Sequence, residues 1–423
     1  MNAEITISNA VSLRQTETRF LGFAVGFFFS FRQCIVLLSV QFFGVEPSIG
    51  TAVSIALDLL LLCAVCFDSL GAAQRTFGSI AKLAAVRWVF AFLALSCLSL
   101  LWSETASLTN SIVYWLGLVI DVANVILLLR RDAGIEDMHA LMRGFIWSSC
   151  LLAAIAWMMP TAPDLRLGDE QYFNTNEIGN LCAFAIFFAQ YLTRSKCGSW
   201  RFAKVFLVLT LVRSLSKTTL AGFLVAEACL MILDRSMSRK TKTLLLSCAL
   251  MLILVFWGLF EAYYDVYTNA GNQAETLTGR TAIWLYVFNA VFDHPWNLWI
   301  GHGFDSWWKV VPPFGFEMFE ARHAEDEFLQ QFYAYGVTGV VLLAGIYGSL
   351  YRQLRKLRSS PTKIFLLCLL IFILVRGLAE ADAFDLLLPL WSIILISALA
   401  DYERSREAQL LAGQIARQQS VRL

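Results

Sequence analysis

A succession of long apolar segments, each broken only by a short charged or turn-forming interruption, limits this chain more than any other feature. A segment that crosses a bilayer needs about 20 mainly apolar residues, because every backbone N–H and C=O in a hydrocarbon layer about 30 Å thick must be satisfied within the segment. Read at that length, the sequence has candidate spans near residues 20–43, 48–67, 88–103, 109–129, 139–159, 176–193, 202–214, 216–234, 244–263, 326–351, 363–376 and 384–400. The expected fold class is therefore an all-α polytopic membrane protein with about 12 transmembrane helices. Apolar residues make up 58% of the 423 and charged residues 15%, against roughly 45–50% and 25% in a soluble domain. The third, seventh and eleventh segments are short enough to be tilted or broken.

Lys and Arg fix the expected orientation, since cytoplasmic loops carry the basic excess. Basic clusters fall in every second gap: Arg14 and Arg19; Arg75, Lys82 and Arg87; Arg130 and Arg131; Arg194, Lys196 and Arg201; Arg235, Arg239, Lys240 and Lys242; Arg352, Arg355, Lys356 and Arg358; then Arg404 and Arg406. Both termini are expected in the cytoplasm of a bacterial cell with the protein in the inner membrane. Residues 1–19 form a cytoplasmic lead-in, 20–400 a single membrane domain and 401–423 a cytoplasmic tail. The lead-in is polar and the first apolar run long, which does not fit a cleavable signal peptide. The outer gaps 45–48, 103–108 and 160–175 are short, whereas residues 264–323 form one large periplasmic loop between the ninth and tenth spans. A net charge near +1, with no basic run longer than a loop anchor, excludes nucleic acid as a partner.

Nine of the ten cysteines lie in apolar spans and Cys197 in a cytoplasmic loop, so they read as small hydrophobes. The Cys63–Cys66 pair has neither a second pair nor a nearby histidine to complete a zinc site. No metal or cofactor is expected. Ionisable residues deep in spans, Arg32, Asp58, Asp121 and Glu227, are costly unless paired. Pairing of Arg32 with Asp58 or Asp121 is the structural expectation, and a proton or ion pathway is the functional alternative.

The large loop concentrates the chemistry. Ile283, Trp284, Val287, Phe288, Val291 and Phe292 recur at helical spacing and predict an amphipathic helix in the outer interface. Asp293-His294-Pro295, Gly301-His302-Gly303-Phe304 and Arg322-His323-Ala324-Glu325-Asp326-Glu327 follow, so three of the four histidines sit in one loop. Trp296, Trp299, Trp307 and Trp308 read as interfacial anchors, as do Tyr172 and Phe173 before the sixth span. His323 precedes a span beside Arg322 and three carboxylates, where its neighbours can tune it for proton transfer. Arg213 and Lys217 lie at an outer helix junction, where topology does not call for cations.

These residues resemble the O-antigen ligase and polymerase superfamily of envelope glycosyltransferases over roughly residues 170–400. The resemblance rests on Asn176-Glu177-Ile178-Gly179, Ser216-Lys217-Thr218, Gly279-Arg280 with Trp284, Pro295 with Gly301 to Phe304, and His323 to Leu329 followed by Gly336 and Gly339, all in the family's order. It departs where family members usually carry His-Asn and this chain has Glu325-Asp326, leaving Glu325 or Glu327 as rivals to His323 for the general base.

The resemblance implies a GT-C-like membrane enzyme that moves a glycan from undecaprenyl diphosphate to an acceptor hydroxyl on the periplasmic side. No metal is required in that reaction. The acceptor is a lipid-linked repeat unit for a polymerase or lipid A core for a ligase. Under this reading His323, Arg280 and Lys217 are the catalytic candidates. Arg213, Arg322, Glu325, Glu327, Asn176 and Arg376 are the substrate-binding candidates, Arg376 also being placed to pair with Glu380 and Asp382. The Arg376-Gly377-Leu378 pattern with Glu380 and Asp382 leans towards an exopolysaccharide polymerase. A secondary transporter or lipid flippase is the reading from another class, although the halves lack the matched interruptions such a protein usually has. A metal-dependent enzyme with an acidic first outer loop does not fit the 45–48 gap, which holds only Glu46.

Overall fold

Fourteen helices of six residues or more, and no β-strand, make up the described residues. In the computed structural model these are all residues except 1, 71–79, 81, 131–133, 161–164, 169–172, 235–237, 260, 263–276, 315–319, 359 and 423, and the side chains of 2–19, 249, 253, 277–279, 361 and 415–422 are likewise not described. Arg75, Arg131, Arg235, Tyr172, the first part of the 264–323 loop, and the side chains of Arg14 and Arg19 therefore lie outside the described residues. The helices are α1 Asn2–Phe43, α2 Pro47–Leu70, α3 Ala84–Ser99, α4 Leu108–Leu129, α5 Gly134–Met158, α6 Thr175–Arg194 and α7 Arg201–Ser214. They continue with α8 Lys217–Leu233, α9 Arg239–Val255, α10 Leu277–Asp293, α11 Pro295–Ile300, α12 Glu327–Lys356, α13 Pro361–Gly377 and α14 Leu390–Arg422.

Each of the twelve apolar segments falls on a helix, the first nine on α1 to α9 and the last three on α12 to α14. Five are long and apolar enough to cross a membrane: α1 over Phe20–Phe43, α2, α4, α5 and α12. The other seven are shorter or less apolar. The protein is thus an all-α membrane protein. Three boundaries move inward, from 103 to Ser99, from 263 to Val255 and from 384 to Leu390, the last because residues before it form a loop. There Asp385 Oδ1 accepts from the Leu386 and Leu390 amides at 2.7 and 3.2 Å, capping α14.

The first half packs backbone against backbone. A Cβ on Gly26 would lie 1.9 Å from the Leu141 carbonyl oxygen, and one on Gly144 2.0 Å from that of Phe23, so α1 and α5 touch only because both positions are glycine. Around this seam Phe29 stacks on Trp391 at 4.4 Å, and Phe145, Phe184, Phe187, Phe188 and Phe372 fill the centre between α5, α6, α13 and α14. The deep charges are paired as the sequence suggested: Arg32 bonds Asp121, and Asn124 donates to Asp58 at 3.1 Å. Glu227 accepts from Gln190 at 2.6 Å.

The second half is built from shorter pieces. On α10, Ile283, Val287 and Val291 are fully buried against a small core that includes Trp307, Phe314 and Tyr333. Phe288 and Phe292, expected on that face, instead point outward and stack on each other at 6.4 Å. The i, i+4, i+8 stripe is the buried one, and the two phenylalanines lie one step beyond it. Trp307 is 1% exposed with its Nε1–H on the Ala321 carbonyl, so it is a core residue, while Trp296 and Trp299 are exposed.

Helix α12 is interrupted at Gly336, whose φ of 62° leaves the regular helix. The break frees two carbonyls: Tyr333 O accepts from His302 N at 3.0 Å and Ala334 O from Gly303 N at 2.8 Å. The Gly-His-Gly-Phe turn is held by the kink in this way.

Candidate active site

Two sequence motifs meet where α7 turns into α8. Leu215 ends α7 in the left-handed region (φ 59°), Ser216 is extended, and Lys217 is the first residue of α8. Thr175 at the start of α6 donates to the Ser214 carbonyl, and the Ser216 hydroxyl donates to Asn176 Oδ1 at 2.8 Å while it accepts from the Thr219 hydroxyl at 2.9 Å. Gly179 makes room, since a Cβ there would lie 3.1 Å from Ser216 Cβ. Asn-x-x-Gly and Ser-Lys-Thr are therefore two sides of one helix junction. Asn176 is not the cap of α6; Asn174 is, accepting from the Asn176 amide at 2.8 Å. Lys217 and the open N–H groups of α8 put positive charge at this end of the helix.

From α8 a chain of contacts runs to the histidine. Thr218 Oγ1 donates to Glu380 Oε2 at 3.4 Å, and Glu380 Oε1 lies 3.0 Å from His323 Nε2. His323 Nδ1 is 3.8 Å from Glu325 Oε1, and Glu325 Oε2 is 3.2 Å from Arg280 Nη2. Four separate stretches thus converge: the starts of α8 and α10, the segment before α12, and the 378–389 loop after α13. Glu325 holds a left-handed backbone, φ 56°, a conformation that costs a non-glycine residue about 1 kcal/mol. Burial alone would depress the His323 imidazole, but Glu325, Glu380 and Asp382 override it and raise it to about 9. Glu380 is held below the usual range despite burial, because His323 bonds it and His323, Arg376 and Arg280 attract its charge. Both shifts favour the charged imidazolium–carboxylate pair over the neutral one.

The remaining predicted residues take distinct places. Arg376, at the end of α13, is 4% exposed, and its Nε and Nη1 have no hydrogen-bond partner among the described residues. Glu327 is 1% exposed on the first turn of α12 and accepts from Tyr347 and the Leu387 amide. Arg213 Nη1 donates to the Leu165 carbonyl at 2.7 Å, and Arg322 lies over the Trp308 ring at 5.6 Å. The donor atoms of His323, Glu325 and Glu380 lie within 4.8 Å of one another, close enough to ligate a cation, a grouping the sequence did not reveal.

Two participants were not singled out from the sequence. From the sequence Glu380 is a partner for Arg376 and part of the Arg376-to-Asp382 pattern, but not a partner of His323, because an acid 57 positions beyond the histidine carries no local spacing signal. Glu104, the acid of the 103–108 gap, reaches His302 Nδ1 at 3.0 Å, and the His302 ring stacks on Tyr333 at 4.4 Å. Its signal was slight: one carboxylate in an otherwise uncharged outer gap. The same turn is pinned by Ser111, which donates to Asp305 Oδ2 at 2.7 Å, and by Ser99, which accepts from Phe304 N at 3.0 Å.

Residues 202–344, which carry Lys217, Arg280 and His323, match the O-antigen ligase family model. A stretch of 174 residues is 30% identical to an O-antigen ligase of Pseudomonas aeruginosa, covering 41% of this chain and 39% of that protein. The chain thus spans about two fifths of the relative it matches. Over these stretches the chain is similar to the O-antigen ligase and polymerase superfamily, and the matches bear out the resemblance carried by its motifs.

Proposed function

We propose that this protein is a polytopic inner-membrane glycosyltransferase, GT-C-like, with its termini in the cytoplasm and its site facing the periplasm. It transfers a glycan from undecaprenyl diphosphate to an acceptor hydroxyl. The observation that carries this reading is the connected chain Thr218–Glu380–His323–Glu325–Arg280, which gathers a proton acceptor and cations from four parts of the sequence. Transfer needs both: a base for the acceptor hydroxyl and positive charge for the departing lipid diphosphate.

Glu380 orients the imidazole through Nε2, and Nδ1, which accepts the Glu325 amide at 3.3 Å, is the nitrogen that exchanges that bond for the acceptor's proton. The imidazolium then formed is stabilised by Glu380 and Glu325. A base raised to about 9 is strong but mostly protonated at pH 7. The diphosphate is assigned to Arg280, which bonds Glu325, to Arg376, whose charge acts on Glu380, and to Lys217 with the N-terminus of α8, the helix whose Thr218 bonds Glu380. Arg213, Arg322, Glu325 and Asn176 shape its surroundings.

The name of the relative favours a ligase, with lipid A core or a comparable glycolipid as acceptor, over a polymerase joining lipid-linked repeat units. The polymerase leaning rested on the Arg376-to-Asp382 segment. Glu380 in that segment bonds His323, so its acids have a role at the transfer site that either reaction would use.

The test is transfer by purified protein in lipid nanodiscs, given a lipid-linked glycan and each acceptor in turn. Chain growth identifies a polymerase and capping of the glycolipid a ligase. Uptake without glycan transfer would support the transporter reading instead. His323→Ala and Arg280→Ala should each lower transfer on the order of 10²- to 10³-fold at normal expression. Undiminished product from both variants would remove the enzymatic reading.

A further inference from the structure

The base has two neighbouring carboxylates in sequence, Glu325 and Glu327, and the structure separates their roles. Glu325 faces His323 and Arg280. Glu327 faces the opposite way, into the protein. Tyr347 Oη lies 2.8 Å from both of its oxygens, and the Leu387 amide donates to Oε1 at 2.8 Å. Its Oε2 also lies against Gly377, where a Cβ would come within 3.1 Å. Tyr347 lies 20 residues further on, which along an unbroken helix would be about 30 Å away; the break at Gly336 redirects the chain, so the two arms of α12 bring a phenol and a carboxylate together beside the loop that follows α13. That loop, 378–389, carries Glu380.

We infer that Glu327 is a positioning residue: with Tyr347 it clamps the 378–389 loop onto α12, and this clamp sets the contact between Glu380 and His323. The inference rests on the proposed role of His323. It also removes Glu327 as a rival base, because both of its oxygens are engaged within the protein and the side chain is 1% exposed. An acceptor hydroxyl has no path to it without breaking the clamp. Leu387 lies seven residues after Glu380 in a loop that is also held by the Glu380 contacts with Thr218 and His323, by Phe384 against Tyr114, by the Asp382 carboxylate, which accepts from Phe384 N and Asp385 N at 2.9 and 3.0 Å, and by Asp385, which caps α14. The outer part of the loop is thus folded on itself, and Glu327 supplies its bond to α12.

Two readouts test this, one independent of activity. With only four histidines in the chain, ¹⁵N-labelled imidazoles are resolvable in nanodiscs, and His323 is assigned by its loss in His323→Gln. In Glu327→Ala, and more mildly in Tyr347→Phe, the His323 titration should move down from about 9 towards the ordinary 6.5 as Glu380 drifts away. In the transfer assay, Glu327→Ala should lower kcat on the order of 10²-fold with KM nearly unchanged, as misplacement of a reacting group by about 1 Å does. Glu327→Gln keeps an oxygen for the Leu387 amide and should recover most of that loss.

A Glu327→Gln variant as inactive as Glu327→Ala, with the His323 titration unmoved in both, would overturn the inference and make Glu327 a direct proton acceptor. If Glu327→Ala fails to fold, Tyr347→Phe and Glu327→Gln carry the same comparison. If wild-type protein transfers no glycan, the proposed function fails, while the His323 titration still decides whether Glu327 positions Glu380.

Discussion

Two groups of buried charge among the described residues are built on opposite plans. In the first half, Arg32, Asp58, Asp121 and Asn124 sit at the middle of α1, α2 and α4, where Arg32 bonds Asp121 and Asn124 bonds Asp58. Each is held by a rigid helix, and α1 is fixed against α5 by the Gly26 and Gly144 contacts. In the second half, His323, Glu325, Glu380, Arg280 and Arg376 sit at helix ends and on loops. Arg376 has two guanidinium nitrogens with no hydrogen-bond partner among the described residues. Pairing inside helices lowers the cost of charge in an apolar interior. Charge at helix ends, left under-satisfied, is available to something that arrives.

The comparison breaks most readily at Arg376. Arg376→Ala should lower transfer on the order of 10²-fold or more, the loss usual for one preorganised cationic or hydrogen-bonding group at a developing charge. Arg376→Lys should recover only part, because a lysine cannot reproduce the planar fork. Thermal unfolding of Arg376→Ala should fall less than that of Arg32→Ala, because His323 and Arg280 still attract the Glu380 charge. A large fall in Tm with intact kcat would move Arg376 into the same structural class as Arg32.

Arg32→Ala is the converse. It leaves Asp121, 2% exposed, without its cation, and removal of one member of a buried pair costs roughly 3–5 kcal/mol. The expected outcome is a lower Tm in detergent with kcat per folded molecule unchanged. Arg32→Ala combined with Asp121→Asn should restore much of the stability.

The His323 pair predicts a pH effect of the next size. Its imidazole is raised from 6.5 to about 9 in the folded protein, so the pairing stabilises fully below pH 6.5 and is lost as pH rises through about 9. The amount is about 3 kcal/mol, and unfolding followed between pH 6 and 10 should show the decline in wild type but not in His323→Gln. Transfer should run the other way over the same interval, rising with pH as His323 becomes neutral. Coincident loss of stability and gain of rate is what separates this group from the Arg32 group, where no such opposition is expected.

The positions of the helices were legible because a period of apolar length survives any detail of packing. Motif partners were legible only in part. Asn176, Gly179, Ser216 and Lys217 were each visible, yet that they form one junction depends on the left-handed turn at Leu215, which a leucine does not announce. Ile283, Val287 and Val291 were correctly grouped, while Phe288 and Phe292 were assigned to the same face by a stripe drawn too wide. Glu380 and Glu104 were missed because their partners lie 57 and 198 positions away. Contacts of that range are set by the whole bundle, whereas a paired charge inside a helix, such as Arg32, betrays itself by being out of place.

The smallest expected effect bears on the helix junction that joins the two plans. Asn176 is a candidate for sugar binding, yet its Oδ1 accepts the Ser216 hydroxyl at 2.8 Å, one residue from Lys217. As a structural bond between neutral groups this is worth about 1 kcal/mol. Asn176→Ala should therefore lower Tm slightly and raise KM only a few-fold through a displaced Lys217. Ser216→Ala removes the donor of the same bond and should give the same small change, and the double variant should be no worse than either. If Asn176→Ala instead costs transfer tenfold more than Ser216→Ala, Asn176 touches the glycan directly. The junction would then belong to the site as a binding surface, and Ser216 would serve to orient the amide that meets the substrate.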